Sequence, residues 1–169
     1  MKTISFFNSI RNGNVKRVRN LLQNGFNPNL NFYHGITSLS VAVKYHRLEI
    51  VQVLIEYRAD PDLADRITGF ISLIHSILEN NFSLDMMFVL IQSGADPDRK
   101  DELHHCVNEG KLEALRLLLE KGGNPNVQDL DELLVFILPN PLKECLSLWS
   151  CFYGADSTIQ DKYRKTYLM

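Results

Sequence analysis

Apolar residues in this chain come in short groups at helical spacing, and each group is closed by the same small polar signal. Two adjacent aliphatics, two other residues, a Gly slot, a small or apolar residue, then Asn or Asp, Pro, and Asn or Asp recur along the chain. The copies are LLQNGFNPN (Leu21 to Asn29), LIEYRADPD (Leu54 to Asp62), LIQSGADPD (Leu90 to Asp98) and LLEKGGNPN (Leu118 to Asn126). A degenerate fifth, SCFYGADST, runs from Ser150 to Thr158. The Gly slot falls at Gly25, Arg58, Gly94, Gly122 and Gly154, at spacings of 33, 36, 28 and 32 residues. Self-similarity at this period is the mark of stacked repeats.

One unit can be built from its residues. Val51, Leu54 and Ile55 sit at i, i+3 and i+4, one face of a helix. The Gly slot after Tyr57 predicts a left-handed residue closing the last turn. The following proline lacks an N–H and prevents the helix from resuming. Upstream, Leu39 and Ala42 begin another short apolar helical face, and the two helices join near His46. That slot is Gly13 in the first copy and Gly110 in the fourth, again a site for positive φ. Each unit is helix, tight turn, helix, projecting turn. Alone it cannot bury both helices, so neighbours must stack into a continuous core.

The pattern resembles the ankyrin repeat, in which T-P-L-H-x-A opens the first helix and G-A-D-x-N follows the second. Here the opening reads Thr37-Ser38-Leu39-Ser40-Val41-Ala42 behind Gly35, with Gly69-Phe70-Ile71-Ser72-Leu73 and Leu103-His104-His105-Cys106 in the next two units. The resemblance covers nearly the whole chain. It implies an all-α solenoid forming a single domain over 1–169. The units run 1–29 (an N-terminal cap), 30–62, 63–98, 99–126 and a degenerate 127–158, with a stub at 159–169.

Departures from the pattern carry their own expectations. The first unit has no incoming turn, and Lys16, Arg17 and Arg19 lie away from its apolar positions, as a terminal cap requires. Leu78 to Ser83 should widen the turn between the helices of the third unit. The fourth unit is short between Asp98 and Leu103, so its projecting turn should be clipped. In the fifth, Pro139-Asn140-Pro141 marks a helix boundary, and Leu142, Cys145, Trp149 and Phe152 form one apolar face.

Composition adds bounds. Of the 169 residues 45% are hydrophobic and 22% charged, a folded rather than a disordered balance. The longest apolar run, Leu133 to Leu138, is far short of a membrane span. Three cysteines cannot all pair within the chain, which points to reduced thiols and a cytoplasmic protein, with the nucleus as a second compartment. The net charge of −2 hides an asymmetry: seven basic and no acidic residues precede Glu49, and the rest of the chain balances to −9.

Motifs for catalysis are missing. No Gly-rich phosphate loop, H-E-x-x-H or G-x-S-x-G occurs. Asp60-Pro61-Asp62 and Asp96-Pro97-Asp98 lack the glycine and distal Glu of a calcium loop and read as solvated turns. His104, His105 and Cys106 are adjacent on a helix and diverge by ~100° per residue, so they cannot converge on one metal ion. His75 has no carboxylate or cysteine at ligand spacing and reads as structural. No cofactor, metal or small-molecule substrate is expected.

The family resemblance implies a non-catalytic scaffold or competitive inhibitor, of the kind represented by short ankyrin inhibitors of NF-κB-type factors. Such a protein binds a partner protein through projecting turns and first helices on a concave face. Transferred position by position, the binding residues are Phe32, Tyr33, Ile36, Lys44, Tyr45, Arg66, Phe70 and Glu79, with Asn108 and Glu109 in the fourth unit. Two readings compete with it. One is the targeting part of a longer protein, such as a ubiquitin-ligase adaptor or an enzyme-linked array. The other is a charge-driven binder of nucleic acid or membrane through the basic first unit. That unit lacks interleaved aromatics for base stacking, so neither partner is expected, and the chain should be monomeric.

Overall fold

The computed structural model describes residues 2–32, 35–66, 68–78, 82–98, 100–126 and 153–154. Among them lie eight helices in order: α1 (Lys2–Arg11), α2 (Val15–Gln23), α3 (Ser38–Lys44), α4 (Leu48–Glu56), α5 (Ser72–Leu78), α6 (Leu84–Gln92), α7 (Lys100–Asn108) and α8 (Leu112–Glu120). Extended pairing among the described residues is limited to one bridge, Asn31 with Thr37. The chain divides into two compact bodies, Met1–Ala95 and Asp96–Met169.

The first body holds three helix pairs. The first helices α1, α3 and α5 pack side by side, and the second helices α2, α4 and α6 form a parallel row. Between the rows Phe6, Ile10, Leu39, Ile50, Leu54, Leu73, Ile77, Met87 and Leu90 are fully buried. Position in the row sets how much of a helix is apolar. Helix α4 has neighbours on both sides and buries Ile50, Val51, Val53 and Leu54, a wider face than the i, i+3, i+4 stripe alone. Helix α2 ends the row and buries only Val18 and Leu22, leaving Lys16 and Arg17 exposed. This is the polar outer face that the sequence predicts for α2.

Local signals end the helices where the sequence places them. Thr37 caps α3 by accepting the Ser40 N–H at 3.0 Å, and Asn14 caps α2 by accepting the Arg17 N–H at 3.0 Å. The slot after each second helix is left-handed throughout, including the non-glycine Arg58 at φ 64°. Among the described residues the slot between paired helices is left-handed as well, at Gly13, Gly110 and His46, the last at φ 52°. Both non-glycine residues sit in a region that costs an L-residue about 1–2 kcal/mol.

In the second body α7 and α8 pair through Leu103, Cys106, Val107, Ala114, Leu115, Leu118 and Leu119, all buried. The turn before Leu103 is clipped as the sequence leads one to expect, and further than its spacing shows: helix α7 begins at Lys100, so the residues just before Leu103 already belong to the helix. Cys106 is fully buried, and burial together with the nearby Glu102 carboxylate pushes its thiol pKa well up. The fifth unit apart from residues 153–154, with its Leu142, Cys145, Trp149 and Phe152 face, the stub at 159–169, and residues 79–81 of the turn expected to be widened lie outside the described residues.

Candidate partner-binding surface

The Asn/Asp-Pro-Asn/Asp signal has one construction in all four copies. The first side chain accepts the backbone N–H two residues on: Asn27 Oδ1 from Asn29 at 2.9 Å, Asp60 from Asp62 at 3.0 Å, Asp96 from Asp98 at 2.9 Å, and Asn124 from Asn126 at 2.9 Å. The intervening proline has no N–H to compete for that oxygen and presets φ for the turn. The third side chain reaches the next copy. Asn29 Oδ1 accepts the Asp60 N–H at 2.8 Å, and its Nδ2 donates to Arg58 O at 3.3 Å. In the second body Asp98 Oδ1 accepts the Asn124 N–H at 2.7 Å. These residues are not merely solvated turn positions; they tie the first copy to the second and the third to the fourth.

A second tie joins the projecting turns to the first helices. Asp65 is buried, with 1% of its side chain exposed. Its Oδ1 accepts the Thr37 N–H at 2.8 Å, and its Oδ2 lies 2.6 Å from His75 Nε2. A carboxylate only accepts, so that ring nitrogen carries the proton. The expectation that His75 has no carboxylate neighbour is corrected here, because the partner stands ten residues away across a turn rather than at helical spacing. The structural role expected of His75 is the one it has. Asn31 holds the position corresponding to Asp65 one repeat earlier. Its Oδ1 is buried without a hydrogen-bond partner.

Against this frame the sequence-derived binding residues fall into two groups at opposite ends of α3, about 10 Å apart for seven residues at helical rise. At the turn end, Phe32 is half-buried and stacks on Phe7 of α1, with ring centroids 4.4 Å apart and planes 21° from parallel. It anchors the hairpin as well as bordering its surface. The half-buried Ile36 closes that hairpin by accepting the Phe32 N–H at 2.8 Å. Arg66 is exposed, and its backbone N–H donates to Gly35 O at 3.2 Å. Gly35, at φ 76°, lies so close to the Arg66 side chain that a Cβ there would collide with it. Phe70 is half-buried and meets His75 edge-on at 6.0 Å. At the other end Lys44 is exposed, and Tyr45 is 38% exposed with the Arg11 guanidinium 5.6 Å from its ring centre. Asn108 and Glu109 are exposed at the end of α7. Tyr33 and Glu79 lie outside the described residues.

Sequence reasoning missed Arg11 and Asp65. Arg11 is only one of the seven basic residues before Glu49 on that reading, although it stands before the Gly13 slot as Lys44 stands before the His46 slot. Asp65 could have been found by aligning the turns, which puts a polar Asn31 or Asp65 at one register. Among the described residues no group of acidic, His or Cys side chains could hold a metal ion. None of the described helices is long and apolar enough to cross a membrane.

Paired helices, left-handed slots and turn-to-turn side-chain ties define a helical repeat array of the ankyrin type. Family models agree: residues 21–68 match "Ankyrin repeats (many copies)" and residues 103–130 match "Ankyrin repeat". Both matched segments are ankyrin repeats. The chain is 29% identical over 126 residues to the ankyrin repeat protein FPV014 of Fowlpox virus (strain NVSL), covering 72% of this chain and 28% of that one. To the mouse (Mus musculus) B-cell lymphoma 3 protein homolog it is 34% identical over 102 residues, covering 57% of this chain and 22% of the relative. The chain thus spans about a quarter of the length of these relatives. Among solved structures, the ankyrin repeat domain of Bcl-3, described as a unique member of the IkappaB protein family, matches with a TM-score of 0.85. That match covers 97% of this chain and 75% of that chain at 22% identity, a likeness of fold.

Proposed function

We propose that this protein is a non-catalytic scaffold or competitive inhibitor that binds a partner protein through the turns and first helices of its second and third repeats. Ankyrin repeats are protein-interaction modules, which sets the class. The observation that carries the finer reading is the exposed Lys44–Tyr45 pair at the end of α3, with Arg11 placed over the tyrosine ring. Arginine and tyrosine are the residue types that dominate binding hot spots. The turn end contributes Arg66 and Phe70, on a hairpin already fixed by Asp65 and Gly35. A surface built in advance loses little entropy when the partner arrives.

A photo-crosslinking phenylalanine at Tyr45 captures the partner, which mass spectrometry identifies and titration of the purified pair then measures. Tyr45→Ala should weaken that complex about thirtyfold, the effect of removing ~2 kcal/mol. The melting temperature should hardly move, because Tyr45 fills no core position. Binding that survives Lys44→Ala and Tyr45→Ala but is lost in Asn108→Ala or Glu109→Ala would move the site to the fourth repeat.

A further inference from the structure

Beside α1 and the start of α2 lies a groove of about 350 Å3, lined mostly by serine and asparagine, that the surface above does not use. Ile4, Ser5, Asn8 and Ser9 of α1, with Asn12 just past its end, form one wall, and Asn14 and Arg17 form the other. Its chemistry is one-sided. It contains one guanidinium, several amides and hydroxyls, and no carboxylate, the first acidic residue of the chain being Glu49. Arg17 is held in place by Ser5, whose Oγ accepts from Nη2 at 2.8 Å. That uses one of five guanidinium N–H groups and leaves a fork for a carboxylate. Its neighbours are committed elsewhere: Arg19 pairs with Glu56 at 2.7 Å, and Arg47 Nε donates to Arg11 O at 3.1 Å. Lys2 and Lys16, both exposed, add to the positive field on the same two helices.

The amides give the shape of the ligand. Asn8 on α1 and Asn12, just past its end, are exposed, and the Asn12 N–H still donates to Asn8 O at 3.0 Å, which keeps the two one helical turn, ~6 Å, apart along the axis. Alternate residues of an extended chain repeat at ~6.6 Å. Each amide offers one donor and one acceptor edge, the complement of a peptide unit. Ile4, 46% exposed, supplies an apolar contact at the end of the row.

We infer that this groove binds an extended acidic segment of a partner protein, with an Asp or Glu carboxylate on Arg17 and the peptide backbone on Asn8 and Asn12. It is a second recognition site, separate from the Lys44–Tyr45 surface. The probe is a fluorescein-labelled octapeptide of mixed Asp and Glu, titrated by anisotropy at low salt. Side-chain amide NMR of Asn8 and Asn12 is followed in the same titration.

One peptide per chain should bind, shifting both amide pairs. Arg17→Gln and the double Asn8→Ala, Asn12→Ala variant should each weaken binding about tenfold, the loss of one charged or two neutral hydrogen bonds. All three side chains are exposed, so circular dichroism should stay unchanged. Tyr45→Ala should leave the peptide affinity intact, which separates this site from the proposed partner surface. The inference is overturned if Arg17→Gln binds within twofold of the parent, or if a neutral Asn/Gln octapeptide binds equally well. Inorganic phosphate displacing the peptide at matching concentrations would show a simple anion site instead. Sedimentation showing self-association that Arg17→Gln abolishes would make the occupant a second copy of this chain.

Discussion

Replacing Asp65 by Ala tests whether the turn-to-helix tie holds the repeats together. The carboxylate is buried and serves two groups in different environments. Thr37 is 2% exposed, so its N–H at 2.8 Å from Asp65 Oδ1 would be left buried without an acceptor. An orphaned buried donor costs about 1–3 kcal/mol. The His75 side chain is 18% exposed and can turn toward water, so the loss of its 2.6 Å contact adds less, about 0.5–1 kcal/mol. Together the substitution should cost about 2–4 kcal/mol, a large share of the ~5–15 kcal/mol that holds a domain folded. With a urea slope near ~2 kcal/mol/M the midpoint should fall by roughly 1–2 M. Urea titration followed by far-UV circular dichroism measures it, with the exposed neighbour substitution Arg66→Ala expected within about 0.5 kcal/mol of the parent. Asp65→Asn keeps an acceptor for Thr37 and should recover more than half of the loss. An Asp65→Ala midpoint equal to that of the parent would refute the reasoning. Equal damage from Asp65→Asn and Asp65→Ala would shift the weight from Thr37 to His75.

The strain at Arg58 makes an opposite prediction. Its φ of 64° suits glycine, and Arg58→Gly should stabilise the chain by about 0.5–1 kcal/mol after the entropy cost of glycine, read as a higher urea midpoint. Cys106 makes a chemical one. Burial keeps its thiol protonated, so iodoacetamide should leave the native residue unmodified even near pH 9 and should label it in denaturant, as peptide mass spectrometry would show.

The repeat could be read from the chain because it is a local property. Apolar spacing sets each helix, and the residues at Gly25, Arg58, Gly94 and Gly122 mark its end whatever the neighbours do. Even the two non-glycine slots, Arg58 and His46, were placed by phase alone. What escaped the sequence depends on which residue faces which across a turn. Asp65 and His75 share no helical or strand period, so spacing rules do not pair them. Phe32 looks exposed when read in its polar turn, yet Phe7, far back in the chain, supplies the ring on which it stacks. The early start of α7 follows from missing residues, and a gap shows where a turn is shortened without showing that the helix takes over the vacated positions.

The ties also separate two kinds of residue on one surface. Asn29, Asp65, Gly35 and Phe32 use side chains or backbone space to fix where each turn sits. Arg66, Lys44 and Tyr45 stand on that frame, and none of their side chains fills the core. A change in the first group moves the whole turn, so it should lower stability and binding together. A change in the second group should alter binding at nearly constant stability, since the frame beneath it is intact. An array built this way can exchange its contact residues without rebuilding the fold. That is possible because the asparagine, aspartate and proline of every turn carry the structural bonds, which leaves the residues around them to face a partner.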